Sequence, residues 1–211
     1  MAVREERLAI GPAARRLEAR LVLPEAPRLG AVVCHPHPQY GGDMDNPVVF
    51  VVARALAGAG VATLRFDFGG VRGSGGEYGG GREEVDDVRA ALAALAARLP
   101  AGTPLVLVGY SFGAWVVLRA AAEGADVRAV IAIGPPVGFL GWEFLPAVTC
   151  PVTIVAGDQD RFCPLERCLR LFERTGGRVA VHTLPGADHF LAGREDEVAR
   201  LCLDALTPAP R

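Results

Sequence analysis

Short apolar runs, each followed by a polar or periodic stretch, recur from one end of this chain to the other. Residues 17–23 read as an edge strand ended by Pro24 and Pro27, and residues 31–34 as a short buried strand. Helical periodicity runs through 47–57, and 61–68, rich in β-branched and aromatic residues, reads as the next strand. A glycine-rich stretch, 69–81, precedes an alanine-rich helix at 83–99. The apolar run 104–108 predicts a strand that opens into a helix at 114–122. Strands at 127–133 and 152–156, a helix at 164–175, a strand at 179–184 and a helix at 195–206 complete the pattern.

Buried strands written as continuous apolar runs, each followed by a helix, predict an α/β fold: a mainly parallel, twisted sheet with helices on both faces. No repeat, linker or break in composition divides the chain, so 1–211 reads as a single domain. The stretch 134–151 is too short and too rich in proline and glycine for a helical cap, so no cap domain is expected.

Composition narrows the partners. Of the 211 residues 51% are hydrophobic, and the formal charge of −2 points to neither nucleic acid nor an anionic membrane. Arginine supplies all the positive charge, a sign of codon bias rather than function. The charged start, Met1-Ala2-Val3-Arg4-Glu5-Glu6-Arg7, has no apolar leader segment, and no run is long enough to span a bilayer; a cytoplasmic protein is expected. Five scattered cysteines fit neither a disulfide framework nor a metal site and read as packed or idle thiols.

In an open sheet of this kind, ligands bind beyond the carboxyl ends of the strands. There the chain writes Gly109-Tyr110-Ser111-Phe112-Gly113, at the junction of a predicted strand and helix. A serine between two such glycines is a nucleophile elbow, in which a tight turn lifts the hydroxyl clear of the backbone. Serine needs a base. Of the four histidines, His35 and His37 follow an early strand and His182 lies within one, whereas His189 occupies the loop after the last strand, free to reach a neighbouring strand tip. The carboxylate that orients it should come from Gly157-Asp158-Gln159-Asp160, where Asp160 stands further from the strand and Asp158 is better placed to brace the turn. The resulting order is Ser111, Asp160, His189.

With that order the chain resembles small bacterial members of the α/β-hydrolase superfamily whose motif runs His-Pro-His-Pro, two residues, Gly-Gly. Here the motif is His35-Pro36-His37-Pro38-Gln39-Tyr40-Gly41-Gly42, supported by Leu64–Val71, Gly109–Gly113, Gly157–Pro164 and Pro185–Phe190. The resemblance implies an α/β-hydrolase fold without a lid and a serine esterase that cleaves small carboxylic esters, without cofactor or metal. Thioesters or amides are alternatives with the same triad, and a non-catalytic binding protein on this fold is an alternative of another class.

Two backbone N–H groups should form the oxyanion hole. Phe112, after the nucleophile, supplies one. Proline excludes positions 36 and 38, leaving His37, Gln39 or Tyr40 for the other, with Gln39 favoured. The substrate should meet Tyr40, Phe139, Trp142 and Phe162 on an open rim that grips a short acyl group, although Phe139 and Trp142 could equally anchor their segment to the core. The loop 73–81 reads as a mobile surface loop or a flexible lip, and Glu83, Glu84, Asp86 and Asp87 as a solvated helix start. His35-x-His37 opens like a metal motif, but Gln39-Tyr40 stand where its Asp-His would be.

Overall fold

The most apolar strands lie at the middle of the sheet, where both faces are covered. In the computed structural model, which describes residues 5–206, β3 (Gly30–Cys34) and β5 (Leu105–Tyr110) run side by side as parallel neighbours. Of the stretch read for a leader, residues 1–4 lie outside the described range. Parallel pairing extends outward through β4 (Ala62–Phe66) on one side and through β6 (Ala129–Ile133), β7 (Val152–Gly157) and β8 (Val179–Leu184) on the other. Two antiparallel strands, β1 (Glu5–Ile10) and β2 (Leu17–Val22), close the far side. The eight strands stand in the order β1-β2-β4-β3-β5-β6-β7-β8.

Because successive side chains on a strand face opposite ways, the sheet divides the core in two. On one face Val32, Leu64 and Leu107 meet α2 (Arg82–Ala96), α3 (Phe112–Ala122) and α4 (Leu165–Phe172). On the other, Val33, Val106 and Val108 meet α1 (Pro47–Gly58) and α5 (Glu195–Leu206). Both cores together hold the α/β sandwich that the apolar pattern predicts.

Strand β1 has no counterpart in the sequence reading. Glu5-Glu6-Arg7-Leu8-Ala9-Ile10 buries only Ile10 and gains its order from pairing with β2, so β1 is the edge and β2 is interior. Between β6 and β7 the described residues form a single 3₁₀ turn, Leu145–Ala147, and no cap. No helix among the described residues is long and apolar enough to cross a membrane.

Candidate active site

Ser111 sits between the end of β5 and the first turn of α3, with φ 54° and ψ −116°. A side chain rarely tolerates that backbone, at a cost of about 1–3 kcal/mol. The surroundings hold it there: the Ser111 N–H donates to the Ile133 carbonyl at 2.8 Å. A Cβ on Gly109 would overlap the Gly113 carbonyl, and one on Gly113 would come within 2.6 Å of the Cys34 and His35 carbonyls. The two glycines therefore let helix, strand and the neighbouring loop close around the serine.

The Ser111 hydroxyl lies 2.9 Å from His189 Nε2, and His189 Nδ1 lies 2.8 Å from Asp160 Oδ2. Asp160 is fixed in turn, since its Oδ1 accepts N–H bonds from Phe162 (2.8 Å) and Cys163 (2.9 Å). With the carboxylate as acceptor, Nδ1 carries the ring proton and Nε2 is left to accept the Ser111 O–H. Tyr110 Oη donates to the His189 carbonyl at 2.8 Å, and the Gln159 N–H donates to the Ala187 carbonyl at 3.0 Å, so the loops after β7 and β8 are tied together. Asp160 and His189 are both buried. Asp158 is elsewhere, exposed and capping its own turn by accepting from the Gly186 N–H at 2.7 Å.

For Gln39 the structure departs from the expectation of a free N–H. The Gln39 N–H donates to His37 Nδ1 (3.2 Å) and the Tyr40 N–H to the His37 carbonyl (3.1 Å), so neither is free. The N–H groups of His37 and of Phe112 have no hydrogen-bond partner among the described residues, and the two rings lie 4.8 Å apart. The reason is local: Pro38–Tyr40 is a 3₁₀ turn capped by His37, and it consumes the N–H groups of Gln39 and Tyr40. The His37 ring has Nδ1 as acceptor and Nε2 3.1 Å from the Tyr78 hydroxyl; partial burial lowers its pKa.

His35 is buried outright, its Nδ1–H donating to the Pro36 carbonyl (2.7 Å) and its Nε2 accepting from the Phe68 N–H (3.0 Å). Burial pushes it down to about 4, although the Pro36 carbonyl pulls the other way. Both histidines thus spend their ring nitrogens on protein partners, and no group of three or more His, Cys, Asp or Glu placed to hold a metal occurs among the described residues. Behind the loop, Asp67 accepts from the Met44 N–H (2.7 Å) and is raised to about 6 by burial, against the Met44 bond and the charge of Arg72.

The glycine-rich loop is tied to side chains on either side of it. Glu84 accepts from the N–H groups of Gly79 (2.8 Å) and Gly81 (2.6 Å), and Arg15 donates to the Glu77 carbonyl (3.0 Å). Gly81, with φ 92°, packs its Cα against the Trp115 ring, where a Cβ would overlap the indole. Glu84 and Asp87 are correspondingly buried, Asp87 paired with Arg15 at 2.6 Å, so only part of the acidic helix start is solvated. The loop brings Tyr78 beside His37 and Phe112, at the edge of a cleft of about 550 Å³ also lined by Pro38, Gln39, Gly69, Arg72 and Glu77.

Of the expected rim, Tyr40, Phe139 and Phe162 are exposed, and the Phe162 ring lies 4.6 Å from the His189 ring. Trp142 is not on the rim. It is 4% exposed and packs on Phe144 and Phe172, because its segment is pinned down where Trp115 Nε1 donates to the Gly141 carbonyl at 2.7 Å. His182 lies on β8 opposite Val155, away from these residues in the register.

Comparison with known proteins agrees with this architecture. The family described as an alpha/beta hydrolase domain matches residues 31–201. A solved alpha-beta serine hydrolase homologue from Coxiella burnetii is 33% identical, with 96% of this chain and 97% of that one covered and a TM-score of 0.85. A serine hydrolase without a lid from Xanthomonas campestris is 30% identical over 100% of this chain and 99% of its own, with a TM-score of 0.86. An uncharacterized protein of Rickettsia prowazekii is 32% identical over 89% of this chain and 82% of its own length.

Proposed function

Since the chain belongs to the alpha/beta hydrolase domain family, we propose that it is a serine esterase acting on small carboxylic esters through an acyl-enzyme. The observation that carries this reading is the hydrogen-bonded line from Ser111 through His189 to Asp160, at 2.9 and 2.8 Å, beside two unspent N–H groups. The Ser111 Oγ attacks the ester carbonyl carbon while His189 Nε2 takes its proton. The carbonyl oxygen, now negative, receives the N–H groups of Phe112 and His37. As the carbon–oxygen bond to the alcohol breaks, the Nε2 proton passes to the departing oxygen. Water, deprotonated by the same Nε2, then attacks the acyl carbon and restores Ser111. Asp160 orients the imidazole throughout. Relatives in the family that are serine hydrolases support this assignment.

We read residues 1–211 as one catalytic domain working in the cytoplasm without a cofactor. With no cap between β6 and β7, the site stays open to dissolved substrates. The test is a panel of p-nitrophenyl esters, thioesters and anilides of graded acyl length. Short esters should be cleaved fastest, with ordinary saturation and no jump above the substrate's solubility limit. A preference for anilides, or a sharp rise on emulsified triglyceride, would overturn the ester reading.

A further inference from the structure

The surroundings of His189 and of His37 differ in kind. On the His189 side stand three aromatic rings that water reaches: Phe139 (68% exposed), Phe162 (39%) and Phe190 (67%). The Phe162 ring is 4.6 Å from the imidazole and tilted by 33°, Phe139 continues it at 5.1 Å, and Phe190 stands edge-on at 6.0 Å. Around His37 stand instead two phenols, Tyr40 and Tyr78, and the buried Phe112, with Arg72 and Glu77 in the cleft beyond.

Resting on the esterase reading above, we infer that Phe139, Phe162 and Phe190 form the subsite for the leaving alcohol, and that this alcohol is a flat apolar one, such as an aryl-substituted methanol. Nε2 must deliver its proton to the departing oxygen, which therefore lies within hydrogen-bond reach of it, about 3 Å away. The carbonyl oxygen points the other way, to the N–H groups of Phe112 and His37. The carbon skeleton of the alcohol therefore leaves across the surface next to the imidazole, and the side chains there are aromatic. Face and edge contacts with these rings reward an aromatic alcohol over a linear aliphatic one. The acyl group turns away from them.

In this step the bond from Ser111 Oγ to carbon forms, the bond from carbon to the alcohol oxygen breaks, and the serine proton ends on the alcohol. Because kcat/KM reports steps up to acylation, it carries the leaving-group preference. The experiment compares benzyl with butyl acetate, alcohols of similar acidity, and ethyl acetate with ethyl butyrate, for the wild type, Phe139→Ala and Phe162→Ala. The Phe139 ring packs on Phe162 and makes no hydrogen bond or ring contact with Ser111, His189 or Asp160, so its variant guards against a general loss through Phe162. We expect the benzyl-to-butyl ratio of kcat/KM to fall about tenfold in Phe162→Ala and less in Phe139→Ala, with the acyl ratio unchanged. An acyl ratio that falls while the benzyl-to-butyl ratio holds would place these rings on the acyl side and overturn the inference. So would two unchanged ratios. A wild-type chain that labels with a fluorophosphonate and cleaves esters without preferring benzyl defeats the leaving-group assignment alone, whereas one that neither labels nor cleaves defeats the esterase reading beneath it.

Discussion

Replacing Asp160 by asparagine removes one charge and almost no volume, and the structure dictates how the new amide must sit. Oδ1 accepts from two backbone N–H groups, those of Phe162 at 2.8 Å and Cys163 at 2.9 Å. An NH₂ group placed there would face two donors, and each bond lost leaves a buried N–H unsatisfied at about 1–3 kcal/mol. The amide oxygen therefore keeps the Oδ1 position, and the NH₂ turns to His189 Nδ1, now in place of an acceptor 2.8 Å away. Nδ1 must then accept, so the ring proton moves to Nε2, which can no longer take the proton of Ser111. A wrong-tautomer histidine lowers kcat by about 10⁴-fold, or about 5 kcal/mol. The fold should lose only about 1 kcal/mol, the difference between charged and neutral acceptance of two N–H bonds. Asp158→Asn is the control: its exposed oxygen accepts one N–H from Gly186, which an amide oxygen also accepts, so activity should stay within about twofold. Steady-state kinetics on a short ester, with thermal melts of each variant, makes the comparison. A larger activity loss in Asp158→Asn than in Asp160→Asn, or an Asp160→Asn enzyme within tenfold of wild type, would refute the reasoning.

Four further predictions concern stability. His35 stays neutral when folded until about pH 4, whereas the unfolded residue protonates near its ordinary 6.5. Its contribution, about 3 kcal/mol, is present above pH 6.5 and lost as pH falls toward 4; His35→Gln should flatten this part of a stability–pH curve from urea unfolding, and an unchanged slope would contradict the assignment. Asp67, raised to about 6, acts with opposite sign, its stabilising part present below its ordinary 3.8 and lost as pH rises through 6, so Asp67→Asn should steepen the acid loss. Gly113→Ala should cost at least about 2 kcal/mol in a thermal or urea melt, because its Cβ would meet the Cys34 and His35 carbonyls at 2.6 Å; a wild-type melting curve would argue against the close approach. Trp142→Ala should cost about 3–5 kcal/mol by leaving a core cavity, with the acyl-length preference unchanged; a shift in preference without loss of stability would return Trp142 to the rim.

The sheet and the meeting of Ser111, Asp160 and His189 were legible because each follows from strong local rules. Apolar runs such as Val106-Leu107-Val108 can be buried only as interior strands, and Gly109 and Gly113 announce a turn that no larger residue could make. What was illegible depended on partners distant in sequence. Strand β1 is mostly charged and exposed, and only pairing with β2 makes it a strand. The glycines of the loop before α2 read as freedom, yet Gly81 gives room to Trp115, and Ser74 ties the loop to Glu18 and Asp67. That the Gln39 N–H is spent could not be foreseen without the 3₁₀ turn that His37 caps. Trp142 and Phe139 lie three residues apart with the same character, and only the packing of Trp142 on Phe172 sorts core from rim.

The central claim is that Ser111 becomes covalently acylated, and mass spectrometry of the intact protein after reaction with a fluorophosphonate probe tests it directly. The account predicts one adduct per chain, mapped by peptide digestion to Ser111, and none in a folded Ser111→Ala variant that also lacks ester turnover. An adduct at another residue, or a Ser111→Ala protein that still hydrolyses esters at the wild-type rate, would contradict it.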